Sequence, residues 1–143
     1  MVACGDEPSP ATTQVVVQLT ADSALPIVRI EITVRGGPTS DVLETTESRT
    51  ISAPTFPMIT SIVPRDNDGS RAFEYDAYAY ATGGGSHIGH VRAVGHFDPD
   101  TRRVLALRFH ASCEDAPCSP QQSCDGTGCT AADVVASDLP LYD

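Results

Sequence analysis

Five cysteines, four histidines and four tyrosines are the side chains of this 143-residue chain with the most chemistry to offer. Cys113, Cys118, Cys124 and Cys129 fall in a Gly-, Pro- and Ser-rich stretch, separated by four, five and four residues, while Cys4 stands alone near the start. Thiols grouped this way either oxidise in pairs or hold zinc. Zinc knuckles usually chelate through closely spaced Cys pairs, and the five residues between Cys118 and Cys124 form a tight loop for one tetrahedral centre. Two disulfides and no metal are therefore expected. Three connectivities are open; the interleaved one, Cys113–Cys124 with Cys118–Cys129, fixes the whole tail and is favoured, each bridge contributing around 3 kcal/mol by loop entropy. Disulfides in a segment without a core of its own point outside the cytoplasm.

The histidines are the next metal candidates. His87, His90 and His96 lie within ten residues, and His110 falls on the strand that follows. At about 3.3 Å per residue, His90 and His96 would sit roughly 20 Å apart on one strand. His87 has the opposite parity to His90 and should point to the other sheet face. Counting outward from the turn at Asp98-Pro99-Asp100-Thr101 brings His90 near His110 across a hairpin, giving two ligands and not three. Tyr78 and Tyr80 share the polar parity of their strand with Glu74 and Asp76, so they are expected to be exposed, where they could stack on a sugar or anchor a protein. Tyr78, Tyr80, His90 and His110 are thus the candidate binding residues.

Other motifs reduce to turns. Asp66-Asn67-Asp68-Gly69-Ser70 opens like a calcium loop, but Ala77 stands where the closing Glu is needed. Gly83-Gly84-Gly85-Ser86-His87 has neither the Gly-Lys-Ser/Thr of a phosphate loop nor Gly-x-Ser-x-Gly spacing, and is expected to be a hairpin loop. With 19 acidic residues mostly in turns and on solvent faces, no catalytic carboxylate pair can be nominated. No cofactor is implied, and the chain is not expected to be an enzyme.

Acidic residues outnumber basic ones by 19 to nine, and every basic residue is Arg, scattered among carboxylates, which argues against a nucleic-acid partner. No run approaches the roughly 20 apolar residues of a membrane-spanning helix. Around Met1-Val2-Ala3-Cys4-Gly5-Asp6 a small residue precedes the early cysteine and a polar, Pro-containing stretch follows it. This resembles the end of a bacterial lipoprotein signal, in which the cysteine becomes the lipidated first residue. The charged and apolar regions of such a signal do not precede it here, so the start is expected to be truncated or misassigned.

The elements that position these residues read as strands. Residues 1–13 read as the signal remnant and a solvated linker. From Gln14, alternation sets in: Val15, Val17 and Leu19, then Val28, Ile30, Ile32 and Val34 against Arg29, Glu31, Thr33 and Arg35, ended by the Gly36-Gly37-Pro38 breaker. Between Asp41 and Pro64, Pro54, Pro57 and Pro64 confine strands to short edge pieces near 50–53 and 58–63. Phe73, Tyr75, Ala77 and Ala79 define another strand, residues 87–97 a further one, and Leu105, Leu107, Phe109 and Ala111 the last, after a hairpin at 98–101. No segment keeps a 3.6-residue period. The expectation is an all-β fold: an immunoglobulin-like or transthyretin-like antiparallel β-sandwich of about seven strands over residues 14–112, with a disulfide-stapled, Cys-rich tail at 113–143 packed on it.

The closing Leu-x-Leu-x-Phe strand, Cys113-Glu-Asp-Ala-Pro-Cys118, Gln122-Ser-Cys124, Gly128-Cys129 and Leu139-Pro140-Leu141-Tyr142 resemble the tails of envelope lipoproteins of myxobacteria and relatives. That resemblance implies a small β-sandwich behind a lipidated Cys4, placed on the periplasmic or extracellular face of the cell envelope, with the membrane and an envelope protein or glycan as partners. It carries over no catalytic activity. The expected function is a non-catalytic binding or structural module. The alternative is a carbohydrate- or metal-ion-binding module using the Tyr78/Tyr80 or His90/His110 face.

Overall fold

The computed structural model describes residues 12–82, 85–113 and 118–142, so Cys4 and its surroundings, Gly83 and Gly84 lie outside the described residues. Seven strands form two sheets: β1 (Gln14–Ala21), β2 (Arg29–Thr39), β3 (Val42–Ser52), β4 (Met58–Ile62), β5 (Ala72–Tyr80), β6 (Gly89–His96) and β7 (Arg102–Phe109). One sheet runs β4-β1-β7 and the other β3-β2-β5-β6. The inward parity is the one the alternation predicts. Val15, Val17 and Leu19 of β1, Ile30 and Ile32 of β2, Phe73 and Tyr75 of β5, and Leu105 and Phe109 of β7 meet in one core. Such period-two patterning commits each strand to one buried face.

Three strand boundaries differ from the sequence reading. β2 does not stop at Gly36-Gly37-Pro38 but continues to Thr39, with register breaks at Val34/Arg35 and Gly36/Thr39. Gly37 is required there because a Cβ would collide with the Val42 carbonyl oxygen. The bulge also accommodates Pro38, which has no N–H to give to a ladder. β3 is an 11-residue strand, not a short edge piece. As the outer strand of its sheet it is mostly exposed on both faces, so its polar sequence carries no period for a reader to find. Val28, expected with Ile30 on the apolar face, precedes β2 and is exposed.

The largest correction concerns residues 97–101. The turn forms, with the Thr101 amide bonded to the Asp98 carbonyl and Arg103 held on the Asp98 carboxylate. It does not close a hairpin. β7 leaves β6 and crosses to the other sheet, where it runs parallel to β1 from Gln14↔Arg102 to Ala21↔Phe109. Turn chemistry fixes how the chain reverses, but not which sheet receives the next strand.

The tail then occupies the edges this crossing leaves open. A hairpin of β8 (Gln122–Cys124) and β9 (Cys129–Ala131) packs beside β6, where the Ser123 hydroxyl accepts the Arg92 amide. Residues 132–134 bond the edge of β6 at Val94, through Val94 N–H to the Ala132 carbonyl and Val134 N–H to the Val94 carbonyl. Farther on, Val104 N–H reaches the Pro140 carbonyl and Tyr142 N–H the Arg102 carbonyl, closing the edge of β7. The disulfides are Cys113–Cys124 and Cys118–Cys129, the interleaved pairing.

Candidate functional site

The outer face of the β2-β5-β6 layer gathers most of the residues that sequence chemistry singles out. Antiparallel register sets them in rows: Arg29 beside Tyr80, Glu31 beside Tyr78 and His90, Thr33 beside Asp76 and Arg92, and Arg35 beside Glu74. Residues opposite one another on a sheet face are close enough to interact directly. Here they do so along a continuous chain. Arg35 donates to Glu74 Oε2 at 3.0 Å, and Arg92 holds Glu74 Oε1 through one nitrogen and Asp76 Oδ2 through another at 2.9 Å. His90 Nε2 lies 2.7 Å from Asp76 Oδ1, and the His90 ring stacks on Tyr78 with centroids 4.1 Å apart and planes 2° from parallel.

Glu74 and Asp76 are only 3% and 8% exposed, against the expectation that they face solvent. A buried carboxylate is tolerable only when charge and hydrogen bonds replace the lost water. Arg35, Arg92 and His90 supply them. The same contacts remove both carboxylates from service as free bases, since each of their four oxygens already accepts a cation or an imidazole N–H.

Tyr78 and Tyr80 are half-buried, not exposed. The Tyr78 ring is covered by His90, and the Arg29 guanidinium lies 4.3 Å from the Tyr80 centroid, so faces a sugar would stack on are engaged within the sheet. Burial, followed by the nearby Asp76 charge, raises the Tyr78 hydroxyl above its ordinary value.

His87 joins this face, contrary to its parity. β6 begins at Gly89, so the strand rule does not reach His87, and the loop turns its ring edge-on to Tyr78 at 4.8 Å and to within 6.2 Å of His90. Burial and then the neighbouring His90 lower its basicity. His110 does not join. It follows β7, in the other sheet, and its ring sits over Gly126 with Nδ1 4.0 Å from Asp22. The expected His90/His110 pair is therefore broken by the β6-to-β7 crossing. His96, at the far end of β6, is exposed. Among the described residues, no group of three or more His, Cys, Asp or Glu is arranged to hold a metal ion.

A cavity of about 70 Å³ is lined by His87 and His90 on one side and by Cys113, Cys118 and Cys124 of the disulfide-bonded tail on the other. Sequence reasoning found Tyr78, Tyr80 and His90 but missed Arg35, Glu74, Asp76 and Arg92. The opposite charges at Arg35/Glu74 across β2 and β5 and at Asp76/Arg92 across β5 and β6 were the available signal, readable only once those registers are known.

Comparison with models of protein families found no match, nor did comparison with curated proteins or with solved structures.

Proposed function

We propose that this chain is a non-catalytic, disulfide-stapled β-sandwich module of the cell envelope, held to a membrane through a lipid on Cys4 and serving to bind or space partners. The observation that carries the reading is the tail. Two crossed disulfides fix it, and it spends its backbone hydrogen bonds closing the edges of β6 and β7. Such stapling suits an oxidising compartment, and edge closure suits a module that must remain folded there without joining its neighbours. The saturation of Glu74 and Asp76 by cations supports a non-catalytic role. Division of the strands into β4-β1-β7 and β3-β2-β5-β6 departs from the ABED and CFG sheets of immunoglobulin constant domains, which favours the transthyretin-like form of the sandwich.

A second reading, a glycan- or metal-ion-binding face, draws on the convergence of Tyr78, Tyr80, His87 and His90. Thermal-shift titration with glycans and divalent ions separates the two, because only the second predicts a saturable rise in melting temperature.

The deciding experiment is the intact mass of the gene product, expressed with its upstream region and recovered from host membranes, with and without reduction and alkylation. A diacylglycerol-sized increase on a chain starting at Cys4, with the four tail cysteines blocked until reduced, is the expected result. An unlipidated chain with free tail thiols would overturn the proposal.

A further inference from the structure

The tail closes the sandwich along β6 and β7. On the opposite side, between the outer strands β3 and β4, no further strand pairs with either edge among the described residues. A cavity of about 470 Å³ lies there, within the range of small-molecule sites. Its apolar lining comes from both sheets and includes Ile62, Phe73 and Phe97, all of them buried.

The polar lining is unusual for so acidic a chain. Arg35, Arg65 and Arg71, three of nine arginines, share the cavity with one carboxylate, Glu44. Arg35 is committed to Glu74 and to the Leu43 carbonyl. Every arginine outside the cavity also has a side-chain partner: Arg29, Arg49, Arg92, Arg103 and Arg108 pair with carboxylates, and Arg102 bonds Gln14. Arg65, which is exposed, and Arg71, which is half-buried, make no ion pair and no side-chain hydrogen bond among the described residues. Asp66 and Asp68 of the adjoining turn do not line the cavity, and the Asp68 carboxylate, though in the field of Arg71, is already held by Ser70.

From this we infer a binding site for a small carboxylate with an apolar body, the body over Val63 and the exposed edges of Ile62 and Phe97 and the carboxylate on Arg65 and Arg71. Guanidinium groups bind carboxylates through paired, charge-assisted hydrogen bonds, which a neutral head group cannot reproduce. The inference stands apart from the envelope reading and survives its failure.

Decanoate, below its micellar concentration, is the probe. Calorimetry and amide chemical shifts of the isotopically labelled chain should show one saturable site, with the largest shifts around Val63 and Phe97. Acetate, lacking the body, and 1-decanol, lacking the charge, should each bind at least about tenfold more weakly, which corresponds to about 1.4 kcal/mol. R65Q/R71Q should weaken decanoate by a similar factor, while Arg49→Gln, outside the cavity, should leave it unchanged. Gly36→Val supplies a second handle: a Cβ there meets only Thr46 Cγ2 at 3.7 Å and the Ala72 carbonyl oxygen at 3.8 Å, so the side chain takes up cavity space and should abolish binding without disturbing the backbone. Absence of saturable binding, equal affinity for 1-decanol, shifts confined to other regions, or unaltered affinity in R65Q/R71Q would each overturn it.

Discussion

Arg92 reaches both Glu74 and Asp76, and its buried Nε has no partner among the described residues. Removing one member of a buried ion network leaves charges without compensation, at a cost of about 3 kcal/mol. Arg92→Met should lower the urea midpoint accordingly, and adding Glu74→Gln with Asp76→Asn should recover part of the loss, because the stranded charges go with them. A pure packing role for Arg92 predicts no recovery. His87 gives the same face a pH dependence. Its folded-state basicity is depressed below the ordinary imidazole value of 6.5, so the unfolded chain binds the proton more readily. The stability it contributes is therefore complete above the unfolded value, declines as pH falls from there, and is lost once pH passes the folded value. His87 is exposed, so solvent keeps the effect small: urea midpoints measured from pH 7.5 down to 5 should show a slight decline, and His87→Gln should flatten it. The residue types at this site were legible in the sequence, but their partners were not. Parity put Glu74, Asp76, Tyr78 and Tyr80 correctly on one face. It could not reveal that the face is lined by matching cations, since burial of a polar face depends on what the neighbouring strand carries opposite.

At the scale of elements, the strands with one apolar, core-facing side, β1, β2, β5 and much of β7, were readable because hydrophobic burial writes an apolar/polar period of two into them, even in β5, whose polar side is also buried. β3 was misjudged because an outer strand with both faces wet has no such period. The β6–β7 connection was misjudged because a five-residue turn is compatible with a hairpin and with an arch between sheets, and the choice rests on the parallel partner that β1 offers. The tail's grip on β6 depends on Gly95, where a Cβ would stand 2.6 Å from the Val134 carbonyl oxygen. Gly95→Val should lift residues 132–134 from the edge while the sheets persist. Hydrogen exchange is the check: the Val94 and Val134 amides should lose protection, while the amides of Val17 and Ile32 should keep theirs.

For the molecule as a whole, the arrangement is asymmetric, with one flank closed by cross-linked chain and the other bounded by the outer strands β3 and β4. Reduction removes the constraint that holds the tail, at about 3 kcal/mol for each bridge by loop entropy. The reduced protein should melt lower and, because freed strand edges recruit other strands, associate in a concentration-dependent way. Light scattering with and without a reductant measures this; a reduced chain that stays monomeric at all concentrations would show that the tail does not protect the edges. The parallel pairing of β1 with β7 also sets a schedule for the chain. Val17 must find Thr60 on one side and Leu105 on the other, so the first strand is buried between partners that are made long after it. Closing such distant contacts is slow. A polypeptide emerging from its amino end would carry an apolar, half-paired β1 until the last strand of the sandwich arrived, and that interval is when the chain most needs protection from aggregation.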